Sequence, residues 1–180
     1  MQFPEKVLED WLLGNPDAYS DCEHEFHWIG RQIHVASGII DLLGVEVKPS
    51  ARDDSYYSIL HIVELKAEPA KSRHLTQVCR YAQDIEFGCD SLGLNVGIIK
   101  AVLATDIQNN CIQFEADALG VELREVSPAF SVSGPWGFKA EAREEHEKIN
   151  IRECEKIACS ILEIVAPNTQ KQIEETSLDG

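Results

Sequence analysis

The apolar patterns along the chain predict an α/β (α+β) sandwich, a mixed central sheet flanked by helices. Three observations carry this. The runs at 57–63 and 95–105 are apolar and β-branched, as strands covered on both faces should be. Other stretches repeat their apolar residues at helical spacing. The two kinds follow one another as helix, three strands, helix, strand, helix, strand, helix.

The first helix is expected over Pro4–Leu13, with proline in the opening turn and Gly14-Asn15-Pro16 as its stop. Val7, Leu8, Trp11 and Leu12 form its apolar stripe, and Glu5 and Glu9 lie one turn apart along the edge. Residues 23–34 read as a strand with poor alternation, and 38–45 as a second strand broken only by Asp41. Residues 46–56, with Pro49, Ser50, Asp53 and Asp54, suit a long hairpin loop. The third strand follows and ends in Glu64-Leu65-Lys66.

A second helix is expected from Ser72 to Glu86, with Leu75, Val78, Cys79, Ala82 and Ile85 inward. His74, Gln77, Tyr81 and Asp84 make a neighbouring polar stripe. Residues 95–105 supply the fourth strand. A helix over 109–119 then turns Ile112, Ala116 and Leu119 inward, with Gly120 as its C-cap. Val121–Val126 alternates as an edge strand. Residues 1–127 thus form the core, 128–139 a linker, 140–166 a charged C-terminal helix and 167–180 a flexible tail. In that helix Ile149, Ile157, Ile161, Leu162 and Val165 form an apolar stripe, which either folds back on its own core or pairs with a second copy in a homodimer.

With 180 residues and 44% apolar content, the chain suits one compact domain with a short extension. No apolar run approaches the ~20 residues of a membrane span, and no signal-peptide pattern opens the chain. The expectation is a cytoplasmic protein without a membrane partner. Its six cysteines show no C-x-x-C spacing and read as reduced thiols. Cys22, His24 and His27 lack a second half-site, which disfavours structural zinc. A net charge of −15 works against a broad nucleic-acid-binding surface.

The chemistry concentrates where the third strand ends. Side chains alternate along a strand, so Ile62, Glu64 and Lys66 share one face. If the second and third strands form a hairpin, Asp41 and Glu64 converge near one edge of the sheet. Two close carboxylates repel unless a cation lies between them, and a hard ion such as Mg²⁺ or Mn²⁺ suits oxygen ligands. Lys66 beside that ion would orient a water or stabilise negative charge developing on a phosphate. The plainer reading is an ion pair that caps a strand.

The stretch Ile39-Ile40-Asp41-Leu42-Leu43-Gly44, followed by Ile62-Val63-Glu64-Leu65-Lys66, resembles the core motif of the PD-(D/E)XK nuclease superfamily. "QVCRY", Gln77 to Tyr81, resembles the Q-x-x-x-Y motif many members carry on the next helix. In detail the order of motifs is most similar to the nuclease domain of NucS (EndoMS) endonucleases, over residues 4–126. The resemblance implies a restriction-endonuclease-like core and a divalent-metal-dependent endodeoxyribonuclease. Asp41 and Glu64 would be its metal carboxylates, helped by the Leu65 carbonyl, and Lys66 its catalytic lysine. Glu5, or Glu9 one turn later, would complete the site. Gln77 would orient the lysine or a water, and Tyr81 would support it or touch the DNA backbone.

Lys71, Arg73 and Arg80 lie on or just before the second helix, where a phosphate backbone would pass. The substrate expected is DNA, double-stranded or branched. Two departures stand out. The separate N-terminal DNA-binding and dimerisation domain of NucS-like enzymes is not in this sequence, and the loop between Asp41 and Glu64 is longer than theirs. A degenerate nuclease fold serving as a binding or assembly subunit is the alternative from another class.

Overall fold

The computed structural model describes residues 4–20, 25–50, 56–108, 110–126, 156 and 159–163. From the first helix to the last strand, the expected order of elements is the one observed. Helix α1 (Glu5–Gly14) is followed by a 3-10 turn (Pro16–Ala18), then strands β1 (Glu25–Val35), β2 (Gly38–Pro49) and β3 (Tyr56–Lys66). Helix α2 (Ser72–Leu92), β4 (Gly97–Ala104), α3 (Asn110–Leu119) and β5 (Val121–Glu125) complete the core. The five strands lie in chain order in one mixed sheet. β1, β2 and β3 pair antiparallel, whereas β3, β4 and β5 pair parallel through the α2 and α3 crossovers. This is an α+β sandwich with helices on both faces of the sheet.

Strand parity divides the core in two. Leu43, Val45, Leu60, Ile62 and Val102 pack with Leu75, Val78, Ala82 and Ile85 of α2, and with Ile112 and Ala116 of α3. Leu42, Val63, Leu65, Ala101 and Leu103 point the other way and meet Leu8 and Leu12 of α1. α1 is also fastened to β1, because the Trp28 indole donates to the Leu12 carbonyl at 2.9 Å and Arg31 meets Asp10 at 2.8 Å. That anchoring matters because the first turns of α1 carry Glu5 and Glu9.

Several boundaries differ from expectation. The segment 46–49 is strand, not loop, since Glu46, Val47, Lys48 and Pro49 pair with Ile59, Ser58, Tyr57 and Tyr56. Glu46 is tolerated inside the sheet because it is 4% exposed yet fully partnered. His61 Nε2 lies 3.1 Å from one carboxylate oxygen and Lys48 Nζ 3.2 Å from the other, and the Tyr19 hydroxyl is 3.1 Å from His61 Nδ1. Burial alone would raise the Glu46 pKa; the His61 hydrogen bond and charge, then Lys48, outweigh it and hold the pKa low.

α2 runs two turns past Glu86, because Cys89 still reaches the core. Val7 and Leu119, expected inward, are exposed, while His74 and Tyr81, expected on a polar face, are buried. Gly120 does adopt the left-handed conformation of a C-cap, at φ 61°.

The linker 128–139, the tail 167–180 and most of the helix 140–166 lie outside the described residues. Residues 159–163 are helical, and Ile161 and Leu162 are buried among the α2-side core residues. Their apolarity is therefore satisfied by their own domain. No described helix is long and apolar enough to cross a membrane.

Gly44 offers a direct test of the packing on the α1 side. A Cβ there would lie 2.3 Å from Cζ of Phe26. That ring cannot swing away freely, because it is edge-on to Trp28 at 4.8 Å and to His61 at 5.3 Å. Gly44→Ala is expected to destabilise the protein by about 1–3 kcal/mol, the usual range for overpacking. Urea unfolding midpoints of the two proteins would show it.

Candidate active site

β2 and β3 pair with Leu42 opposite Val63 and Leu43 opposite Ile62. The next step of that register sets Asp41 beside Glu64, on the face that also carries Leu43 and Ile62. The two carboxylates are thus neighbours on one face. They sit towards the ends of interior strands, where β2 begins and β3 finishes.

Asp41 Oδ2 accepts a hydrogen bond from the Leu65 N–H at 2.8 Å, tying one acid to the backbone of the Glu64-Leu65-Lys66 step. Lys66 Nζ lies 2.5 Å from Glu64 Oε1, 3.8 Å from Asp41 Oδ2 and 3.9 Å from Glu5 Oε1. Glu5 also accepts from the Ala67 N–H at 3.2 Å. Side-chain exposure rises from 1% at Glu64 through 14% at Lys66 and 17% at Asp41 to 46% at Glu5. Approach is therefore from the Glu5 side.

Burial raises the Glu64 pKa to about 7, the Asp41 charge adds to it, and the Lys66 hydrogen bond and charge oppose it. Asp41 is also raised, chiefly by burial and against the Leu65 N–H and Lys66. Burial would lower Lys66, yet Glu64 first and then Asp41 and Glu5 outweigh this and hold the ammonium above its ordinary value. One ammonium among three acids leaves the site short of positive charge.

Glu64 Oε2 is buried and has no hydrogen-bond partner among the described residues. An orphaned carboxylate oxygen beside a second carboxylate is costly in a protein alone, and it fits a hard divalent cation. Asp41 and Glu64 have the donor chemistry to hold one. Among the described residues, however, no group of three His, Cys, Asp or Glu side chains gathers closely enough to do so by itself.

Both acids of α1 reach this neighbourhood. Glu5 touches Lys66 directly, whereas Glu9, 5% exposed, connects through Gln32. The Gln32 amide nitrogen lies 2.6 Å from Glu9 Oε2 and 3.2 Å from Asp41 Oδ1. Gln32 was not evident in the sequence, where it sits in a strand of poor alternation.

The α2 stripe is arranged around a neighbouring turn. Gln77 donates to the Tyr81 hydroxyl at 2.6 Å, and that hydroxyl accepts from the Ile39 N–H at 3.3 Å. Tyr81 fits because Gly38 has no side chain, a Cβ there lying 2.8 Å from the hydroxyl. Asp84 accepts from the Ser37 N–H at 2.8 Å and the Ser37 hydroxyl at 2.6 Å. Gln77, Tyr81 and Asp84 therefore pin the β1–β2 turn and the start of β2, at Ser37 and Ile39, four and two residues before Asp41. No hydrogen bond joins Gln77 to Lys66 among the described residues, and Tyr81 is only 3% exposed.

Of the basic groups, Lys71 and Arg73 both pair with Glu68, while Arg80 is exposed on α2. His74, 1% exposed, accepts from the Lys71 N–H at 3.2 Å and so caps α2. Its pKa is lowered by burial and then by the Lys66 charge.

No protein-family model and no curated protein matches the chain. Among solved structures it is similar to the MspJI restriction endonuclease in complex with a 27-mer oligonucleotide, at 14% identity and a TM-score of 0.36. The likeness covers 70% of this chain and 29% of that one, so this chain spans less than a third of that enzyme's length.

Proposed function

We propose that the protein is a divalent-metal-dependent endonuclease of the PD-(D/E)XK type that hydrolyses DNA phosphodiester bonds. The observation that carries this reading is the pairing of Asp41 and Glu64 beside Lys66, with one Glu64 oxygen buried and unpartnered. A carboxylate in that state is what a cation would relieve. Asp41 and Glu64, with the Leu65 carbonyl, would hold Mg²⁺ or Mn²⁺, which supplies Lewis acidity and lowers the pKa of a bound water.

Lys66 is the chain's own electrostatic group at the site. In the metal-free protein it neutralises Glu64. With a cation present its charge is available to the phosphate, where negative charge grows in the transition state. Gln77 and Tyr81 act at one remove, by fixing the turn that delivers Asp41. Arg80 is the exposed candidate for a backbone phosphate contact, and Arg73 would have to exchange Glu68 for a phosphate.

A non-catalytic nuclease-like subunit remains as a second reading, favoured by the net charge of −15 and by Lys66 lying on Glu64. Plasmid and oligonucleotide cleavage with Mg²⁺ or Mn²⁺ separates the two. Nicking or linearisation by the wild type, lost in Asp41→Ala, is the expected result. Equal residual activity in both proteins would leave the subunit reading.

A further inference from the structure

Gln32 combines two features found together nowhere else among the described residues. Among the described residues it is the one other than glycine with a positive φ, at 51°. Its side chain also joins two carboxylates from different elements, Glu9 of α1 and Asp41 of β2. A side chain in the left-handed region is uncommon outside Asn, Asp and His, and such strain persists only where the surroundings enforce it.

The local fold shows what sets Gln32 beside Asp41. β1 slips register between Trp28 and Gly30, and the pairs Arg31–Leu42 and Ile33–Ile40 then bracket Gln32 opposite Asp41. The amide has two hydrogens and two acceptors within reach. Asp41 is consequently held at both oxygens, by Gln32 at Oδ1 and by Leu65 N–H at Oδ2. Glu9 is drawn to the same amide while its other oxygen lies 3.6 Å from Arg31.

A neutral donor suits this position better than a cation. Lysine or arginine between the two acids would cancel the charge that a divalent ion needs, whereas an amide orients both carboxylates and leaves their charge intact. We propose that Gln32 is a positioning residue, which sets the Asp41 carboxylate for a divalent cation and links it to Glu9 behind. This rests on the reading of Asp41 as a metal ligand.

The test uses Gln32→Gly and Gln32→Asn, both of which suit a positive φ. Glycine removes the amide; asparagine keeps a donor on a shorter arm. Without metal, the melting temperature of Gln32→Gly should change little, because relief of the strained backbone offsets the lost amide bonds to Glu9 and Asp41. Mn²⁺ affinity by titration calorimetry should nonetheless weaken tenfold or more, within the ~10–100-fold typical of groups that orient metal ligands. The turnover number for DNA should fall with KM little changed, and Gln32→Asn should recover part of the Mn²⁺ affinity.

Wild-type Mn²⁺ affinity in both variants would overturn the positioning role and leave the metal reading standing. Absence of Mn²⁺ binding to the wild type would overturn the metal reading itself. If Gln32→Gly fails to fold, Gln32→Met, which keeps a long arm and removes the donor, takes its place, and wild-type Mn²⁺ affinity in it overturns the positioning role equally well.

Discussion

Replacing Lys66 with alanine is expected to lower metal-dependent DNA cleavage by about 10²–10³-fold, the loss seen when one charge-stabilising donor is removed from a transition state. The side chain extends from the last residue of β3 to a point between Glu64, Asp41 and Glu5. It is not a metal ligand, so bound Mn²⁺ should remain measurable in the variant. The fold carries a secondary cost that depends on pH. Lys66 is the nearest cation to a carboxylate that is 1% exposed, and without it Glu64 must either stay charged and unpaired or take up a proton. Proton uptake is easy at pH 6 and less so at pH 8. The melting temperature of Lys66→Ala should therefore fall further below the wild type at pH 8 than at pH 6. Single-turnover cleavage and melts at the two pH values would measure both effects. A variant that cleaves at the wild-type rate would reduce Lys66 to an ion-pair residue.

The fold was largely legible because apolar runs and their period report burial directly. The two-residue alternation put Glu64 and Lys66 on one face, and the isolation of Asp41 in an apolar run marked the partner acid. What escaped was whatever depends on contacts distant in sequence. Glu46 looks like a loop residue until His61 and Lys48 are seen to satisfy it inside the sheet. His74 and Tyr81 fall on a helix face that periodicity calls polar, yet His74 spends its ring nitrogens on the α2 cap and Glu68, and Tyr81 its hydroxyl on Gln77 and the distant Ile39 N–H of β2. Gln32 was hidden for a different reason. Its place opposite Asp41 follows from a register slip in β1, and a slip of that kind cannot be counted from alternation when the strand alternates poorly. The exposed Val7 shows the same limit from the apolar side, since an apolar residue on a helix reports a face only when its neighbours agree.

Glu64→Gln is expected to abolish cleavage and, in the metal-free protein, to raise stability at pH 8 by about 1–3 kcal/mol. An ordinary glutamate titrates near 4.5, and Glu64 in the fold near 7, raised by burial and by Asp41. Between those values the folded state binds more protons than the unfolded chain, so stability falls as pH rises through the window. At about 1.4 kcal/mol per pKa unit the full cost is on the order of 3 kcal/mol above pH 7. Lys66 keeps its charge throughout, because its own pKa is held above the ordinary value. Glutamine has nearly the same shape and no charge to desolvate, so the variant should lose this pH dependence. Part of the gain is offset because Lys66 exchanges a charged acceptor at 2.5 Å for a neutral one. Below pH 4.5 the two proteins should converge. Urea unfolding from pH 4 to 9 would trace the difference, and at pH 8 Mg²⁺ or Mn²⁺ added to the wild type should recover the stability lost between pH 4.5 and 7. A variant that is less stable than the wild type by the same amount at every pH would mean that the Glu64–Lys66 pair outweighs the crowding of acids. In that case the carboxylate would be serving the fold and not a bound cation.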